Sequence, residues 1–152
     1  MSQLAYHEQK DIENIKKLRS LIKALPPFCI DFFRGIEPRT SSRTRIAYAY
    51  DLNVFFDFLA KENPVFRNSE RNEFQLDYLD KLTVSDLEEY MEYLKYRFNS
   101  NNQEVVNKER GIMRKISSLK SFYNYFYRNE KIQNNPAALV QMPKLHEKEI
   151  IR

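Results

Sequence analysis

The apolar positions of this chain recur at helical steps, interrupted at a few points by proline, asparagine and glycine. Ile12, Ile15, Leu18, Ile22 and Leu25 follow one another at steps of three and four, which places them on one face of a helix from about Asp11 to Leu25. Pro26-Pro27 ends that helix, and PFCIDFFRG predicts a short turn before Gly35 and Pro38. A second helix is expected over 42–62, with Thr40, Ser41 or Ser42 as its cap and Asn63-Pro64 as its stop. Tyr48, Leu52, Phe55 and Leu59 stripe it, and Phe56 and Phe58 widen the stripe. The polar stretch 65–81 reads as a loop or a short helix. Thr83 with Asp86 is a capping pair for a third helix, striped by Leu87, Met91, Leu94 and Phe98. NSNNQ at 99–103 breaks the pattern. The longest helix is expected from about Glu104 to Glu130, with Ile112, Ile116, Leu119, Tyr123 and Phe126 on its apolar side. QNNPAAL then predicts a turn into a short final helix, and the charged tail after Pro143 reads as a linker.

That longest helix has a second face. Over 110–129 it carries five basic residues and no acid, and Arg110, Arg114, Ser117, Ser121 and Arg128 fall opposite the apolar stripe. A basic, serine-studded face suits an anionic surface such as the DNA backbone. It is also what an ordinary solvated bundle helix can present. The start of the 42–62 helix offers a second basic site. Unpaired N–H groups and the positive end of the helix dipole attract phosphate there, and SSRTR adds hydroxyls and two guanidinium groups.

Composition narrows the fold class to all-α. Only two glycines occur, too few for a fold built from many tight β-turns, and the prolines leave 39–63 and 65–135 uninterrupted. At 152 residues the chain can bury a core, for which 11 Phe and 10 Tyr supply ample material. Cys29 is the single cysteine, so no intrachain disulfide forms, and its apolar surroundings mark a buried structural thiol. No apolar run is long enough to span a membrane and the start lacks a signal-peptide core, so a cytoplasmic setting is expected.

The net charge of +4 says little, but its distribution says more. Residues 62–92 hold nine acids against three bases, whereas 93–146 hold ten bases against three acids. Arg39, Arg43 and Arg45 form a further basic block before Asp51. Such asymmetry favours a polyanionic partner.

Catalytic signatures are missing from these residues. His7 and His146 stand near opposite ends, and no Cys/His cluster has metal-ligand spacing. There is no phosphate-binding loop. Asp86, Glu88, Glu89 and Glu92 spread around a helix surface and are most simply solvated. No cofactor, metal or small-molecule substrate is expected.

Three segments together resemble a known family. TSSRTRIAYAYDLNVFFDFLA resembles the S-x-x-T-x-x-x-Y-x-x-D-L-x-x-F-x-x-F-L opening of tyrosine recombinases of the phage integrase and Xer type. LTVSDLEEYMEYL is similar to that family's L-T-x-x-D-L-x-x-Y-L element, and IMRKISSLKSFYNYFYRNEKIQNNPAALVQMPKL to its R-R-L-S-A-L-R-S-F-Y-x-Y-L…NPA…PK stretch. They occur in the family's order across 42–145.

The resemblance implies the N-terminal core-binding, SAM-like domain: a small orthogonal bundle of two crossed helical hairpins, here with an extra N-terminal helix. It implies double-stranded DNA as partner, with two helices entering the major groove. By position, the DNA-binding candidates are Arg43, Thr44, Arg45 and Tyr48 on the first helix, and Arg110, Arg114, Lys115, Ser118 and Lys120 on the second. Lys115 and Lys120 lie nearer the apolar flank and can snorkel along the core. Lys120 stands where the family has arginine, which removes bidentate recognition there. The family's catalytic arginine, lysine, H-x-x-R pair and nucleophilic tyrosine lie C-terminal to this domain. The expectation is therefore a non-catalytic part of a longer recombinase that cuts and rejoins DNA within a synaptic tetramer.

The expected organisation is 1–38 as a helical extension that pads the bundle or meets a neighbouring protomer, 39–143 as the DNA-binding domain, and 144–152 as the start of a linker. An alternative is a helical protein-interaction domain with an acidic partner. A helix-turn-helix regulator fits less well, because the short glycine-containing turn between two brief helices is absent.

Overall fold

A computed structural model describes residues 5–67 and 69–144. Five α-helices dominate: α1 (Tyr6–Lys23), α2 (Cys29–Ile36), α3 (Ser42–Glu62), α4 (Val84–Lys95) and α5 (Glu109–Arg128). Short 3₁₀ turns at Glu37–Arg39, Arg71–Glu73, Leu76–Lys81 and Pro136–Leu139 connect or follow them. The fold is all-α apart from one small hairpin. No helix among the described residues is long and apolar enough to cross a membrane.

Local signals set most of the boundaries. Ser41 Oγ accepts from the Thr44 backbone N–H and starts α3. Thr83 and Asp86 form a reciprocal capping box that starts α4. PFCIDFFRG makes a full two-turn helix rather than a turn, because Cys29, Phe32, Phe33 and Ile36 all find a place in the core.

The largest departure from the sequence pattern lies between α4 and α5. Glu104–Val105 is not the first turn of the long helix but strand β2, paired antiparallel with β1 (Arg97–Phe98). Asn99 makes the reversal possible. Its side-chain oxygen accepts from the backbone N–H groups of Asn101 and Gln103, and Asn102 takes a left-handed conformation at φ 60°. Phe98, expected on the stripe of α4, therefore leaves the helix and is exposed against the ring of Tyr96.

The core is aromatic. Phe32, Phe55, Phe56, Phe122, Phe126, Tyr90 and Tyr123 are fully buried. Their rings meet mostly edge to face, as in Phe122–Phe126 at 5.1 Å and Phe55–Tyr90 at 5.1 Å. Cys29 lies in this core with no exposure, and burial pushes its thiol well above the usual range. Residues on either side of position 38 share one continuous core, so α2 packs with α3 and α5 as one body.

α1 lies along α3. Ser42 Oγ donates to Asp11 Oδ1 at 2.8 Å, and Asn53 Nδ2 donates to the Leu21 carbonyl at 3.4 Å. Arg71 closes the far end, donating to the Ala24 carbonyl at 3.2 Å and to Asn53 Oδ1 at 2.8 Å. Burial lowers the Arg71 pKa, and the Asp57 carboxylate at 3.7 Å opposes that shift.

Candidate functional site

α3 and α5 run in opposite senses where they meet. Tyr48 on α3 faces Ser121 on α5, and Asp51 faces Ser118 and Arg114. Between the helices lies an open groove of about 230 Å³, lined by Thr44, Ala47, Tyr48, Asp51, Arg114, Ser117, Ser118 and Ser121. Ser42 and Asn53, which bond to α1, sit roughly 180° around α3 from Asp51 at 100° per residue. The leading helix thus supports α3 from behind and leaves the groove side uncovered.

Asp51 is the centre of the site. Its side chain is only 2% exposed, and a lone carboxylate at that depth would be strongly unfavourable. Three donors compensate it. Ser118 Oγ donates to Oδ2 at 2.7 Å, Arg114 Nη2 donates to Oδ1 at 3.2 Å, and Lys115 Nζ lies 3.5 Å from Oδ1. Burial lowers the Lys115 pKa, while the Asp51 charge acts to raise it and Arg114 to lower it. The cluster cross-links α3 to α5 at the groove floor and carries two cations against one anion.

The nine positions singled out in the sequence are distributed unevenly. Arg43, Thr44, Arg110 and Arg114 are exposed. Among the described residues, neither Arg43 nor Arg110 has a side-chain ion pair or hydrogen bond, and neither lines the groove: Arg43 stands one residue before Thr44 on α3 and Arg110 four residues before Arg114 on α5. Tyr48 is half-buried on the groove wall, its ring edge-on to Phe32 at 5.5 Å.

The other four are held by the fold itself. Arg45 clamps the turn before α3, donating to the carbonyls of Thr40 at 2.6 Å and Glu37 at 3.2 Å. Lys115 and Ser118 are each 6% exposed and turn onto Asp51 rather than outward. Lys120 Nζ donates to the carbonyls of Ala137 and Val140, each at 2.7 Å, and so fastens the Pro136–Leu139 turn to α5. These interactions leave Lys115, Ser118 and Lys120 turned away from open solvent, because each meets a buried or half-buried acceptor within reach of its side chain.

Sequence reasoning missed Asp51 as a site residue, although the Y-x-x-D-L motif contains it. Its signal was positional: it sits three residues after Tyr48 and one before Leu52, on the inner side of a helix whose first turns carry only bases. Gly111 makes no close backbone approach, since a Cβ there would meet only the Asn107 side chain at 3.0 Å. Among the described residues, no group of three or more His, Cys, Asp and Glu is placed to hold a metal ion. His146 and the expected linker from 145 onward lie outside the described residues.

The sequence profile of the phage integrase SAM-like domain matches residues 3–144. The chain belongs to the phage integrase SAM-like domain family. This SAM-like domain is also similar to proteins named tyrosine recombinase XerC. That of Caldanaerobacter subterraneus subsp. tengcongensis is 32% identical over 142 residues, covering 86% of this chain and 38% of the relative. That of Anoxybacillus flavithermus is 31% identical over 113 residues, covering 74% of this chain and 31% of the relative. That of Lacticaseibacillus casei is 35% identical over 111 residues, covering 73% and 31%. The chain therefore spans about a third of the length of such relatives. No solved structure matches it significantly.

Proposed function

We propose that this SAM-like domain binds double-stranded DNA through the α3–α5 groove, as the DNA-gripping part of a site-specific tyrosine recombinase. The observation that carries the reading is the Asp51 cross-link. It keeps two basic helices side by side around a hydroxyl-lined groove that Thr44 and Arg114 line, with Arg43 and Arg110 exposed on the same two helices. Guanidinium groups and hydroxyls in a row suit successive phosphates of one DNA arm. Residues 39–143 supply the gripping surface, 1–38 support it, and 144–152 begin the connection to a catalytic part. In the parent protein that part cuts and rejoins DNA, and further copies complete a synaptic tetramer. The recombinase names of the relatives support this assignment.

Of the nine sequence candidates, Arg43, Thr44, Tyr48, Arg110 and Arg114 touch the duplex directly in this reading. Arg45, Lys115, Ser118 and Lys120 act by holding the framework. The test replaces Arg110 and Arg114 with alanine. Lys115 and Ser118 remain on Asp51 in that variant, so the bundle stays folded by circular dichroism. Duplex affinity falls, and the slope of log K against log salt flattens by roughly 0.9 for each phosphate that is no longer neutralised. A folded double variant with unchanged affinity and salt slope defeats the proposal.

A further inference from the structure

An acid at the floor of an anion-binding groove is expected to weaken binding, because a carboxylate repels phosphate. Three observations at Asp51 point the other way. First, its charge is already balanced without Arg114, since Lys115 is buried against Oδ1 and Ser118 donates to Oδ2. Second, Arg114 touches Asp51 through Nη2 alone, at 3.2 Å, while its side chain stays 63% exposed. A guanidinium has five N–H donors in a rigid fork, so one edge held by Asp51 leaves the other edge free. Third, Arg114 lines the groove together with the hydroxyls of Thr44, Tyr48, Ser117 and Ser121.

We infer that Asp51 is a positioning residue: it fixes one edge of the Arg114 guanidinium so that the other edge is presented to a DNA phosphate in the α3–α5 groove. Lys115 is the permanent counter-ion that keeps Asp51 from repelling that phosphate. An untethered arginine must give up side-chain freedom on binding, and the Asp51 hydrogen bond removes part of that loss beforehand. The inference rests on the DNA reading above and extends it to a residue that never meets the nucleic acid.

The decisive variant is Asp51→Leu with Lys115→Met, because an asparagine oxygen would still accept from Arg114. It deletes one negative and one positive charge together, so net charge and long-range attraction are unchanged, and it leaves no buried ion unpaired. Duplex affinity is measured in the wild-type chain, this double variant, Arg114→Ala, and the triple variant. Positioning predicts that the double variant binds about tenfold more weakly, the scale of one charge-assisted hydrogen bond. It also predicts that the same pair of changes has no further effect once Arg114 is alanine. Equal affinity of wild type and the folded double variant overturns the inference. So does an undiminished loss in the Arg114→Ala background, which would reveal a general structural role or a direct interaction of Lys115 with DNA.

Arg114→Lys provides an arm that does not disturb the buried cluster's acid. A lysine keeps the charge but replaces the rigid guanidinium fork with a flexible ammonium, so affinity should fall between that of wild type and that of Arg114→Ala. Wild-type affinity in Arg114→Lys counts against positioning. Failure of the wild-type chain to bind any duplex defeats the DNA reading itself, whereas the positioning role fails alone only when wild type binds.

Discussion

Tyr90 and Tyr123 are both fully buried tyrosines, yet their hydroxyls fare differently. Tyr123 donates to the Leu79 carbonyl at 3.0 Å. Tyr90 packs against Phe55 and Phe58, and its hydroxyl has no hydrogen-bond partner among the described residues. Tyr90→Phe should therefore leave stability unchanged or raise it by about 1 kcal/mol, while Tyr123→Phe should cost about 1–2 kcal/mol. Chemical denaturation of the two variants checks the contrast, and a loss at Tyr90 equal to that at Tyr123 would refute it. At this scale the sequence showed which side chains were basic but not which were spent inside. Lys115 and Lys120 stand beside the apolar stripe, and only their acceptors, Asp51 from α3 and the carbonyls of Ala137 and Val140, decide where they point. Those acceptors lie 64, 17 and 20 residues away, beyond the reach of any local pattern.

α5 ends in a tight motif that its sequence does not advertise. Lys131 N–H bonds to the Phe126 carbonyl and Glu130 N–H to the Tyr127 carbonyl, with Glu130 at φ 59°. That pairing is the Schellman arrangement, in which glycine usually takes the left-handed position. Glutamate there carries a Cβ penalty, and its charge sits at the negative end of the helix dipole. Glu130→Gly should raise stability by about 0.5–1 kcal/mol, seen as a higher melting temperature in calorimetry. An unchanged or lower melting temperature would show that the position is not strained. Helix existence was legible for α1, α3, α4 and α5, whose apolar stripes repeat over several turns, but not for the two-turn α2, which was expected only as a turn. Ends marked by short side-chain caps, such as Ser41 and Thr83, were legible too. The start of α5 was not. Glu104–Val105 is compatible with a helix locally, and it becomes a strand because Asn99 folds the chain back onto Arg97–Phe98.

For the molecule as a whole, two buried phenols and one half-buried one set the alkaline limit. Burial raises Tyr90, Tyr93 and Tyr123 above the ordinary value of 10.0. The folded state then keeps protons that the unfolded chain releases above that value. Stability from these groups is full below about pH 10 and declines as pH rises further, by up to about 1.4 kcal/mol per pH unit for each of the fully buried Tyr90 and Tyr123 and by less for the half-buried Tyr93. Lys115, lowered by burial from 10.5, works in the opposite sense: the unfolded chain holds its proton longer, so its contribution grows with pH up to that value. Lys120 is lowered by burial too, but the contribution of both lysines stops growing at 10.5, while that of the tyrosines goes on declining above it. The melting temperature should fall steeply between about pH 10 and pH 12, and less so in Tyr90→Phe. A flat profile across that range would contradict the buried-phenol account.

The sequence by itself determined an all-α chain, most of its helices, their apolar faces and the family to which the ordered motifs pointed. These follow from periodicity, caps and breakers, which act over a few residues along the backbone. Only the tertiary structure decided which charges face solvent, that α1 backs α3 on the side away from the groove, and that Asp51 joins the two basic helices. Desolvation makes that choice: a buried carboxylate must collect donors from whatever helix packs against it, and no local pattern records which helix that is.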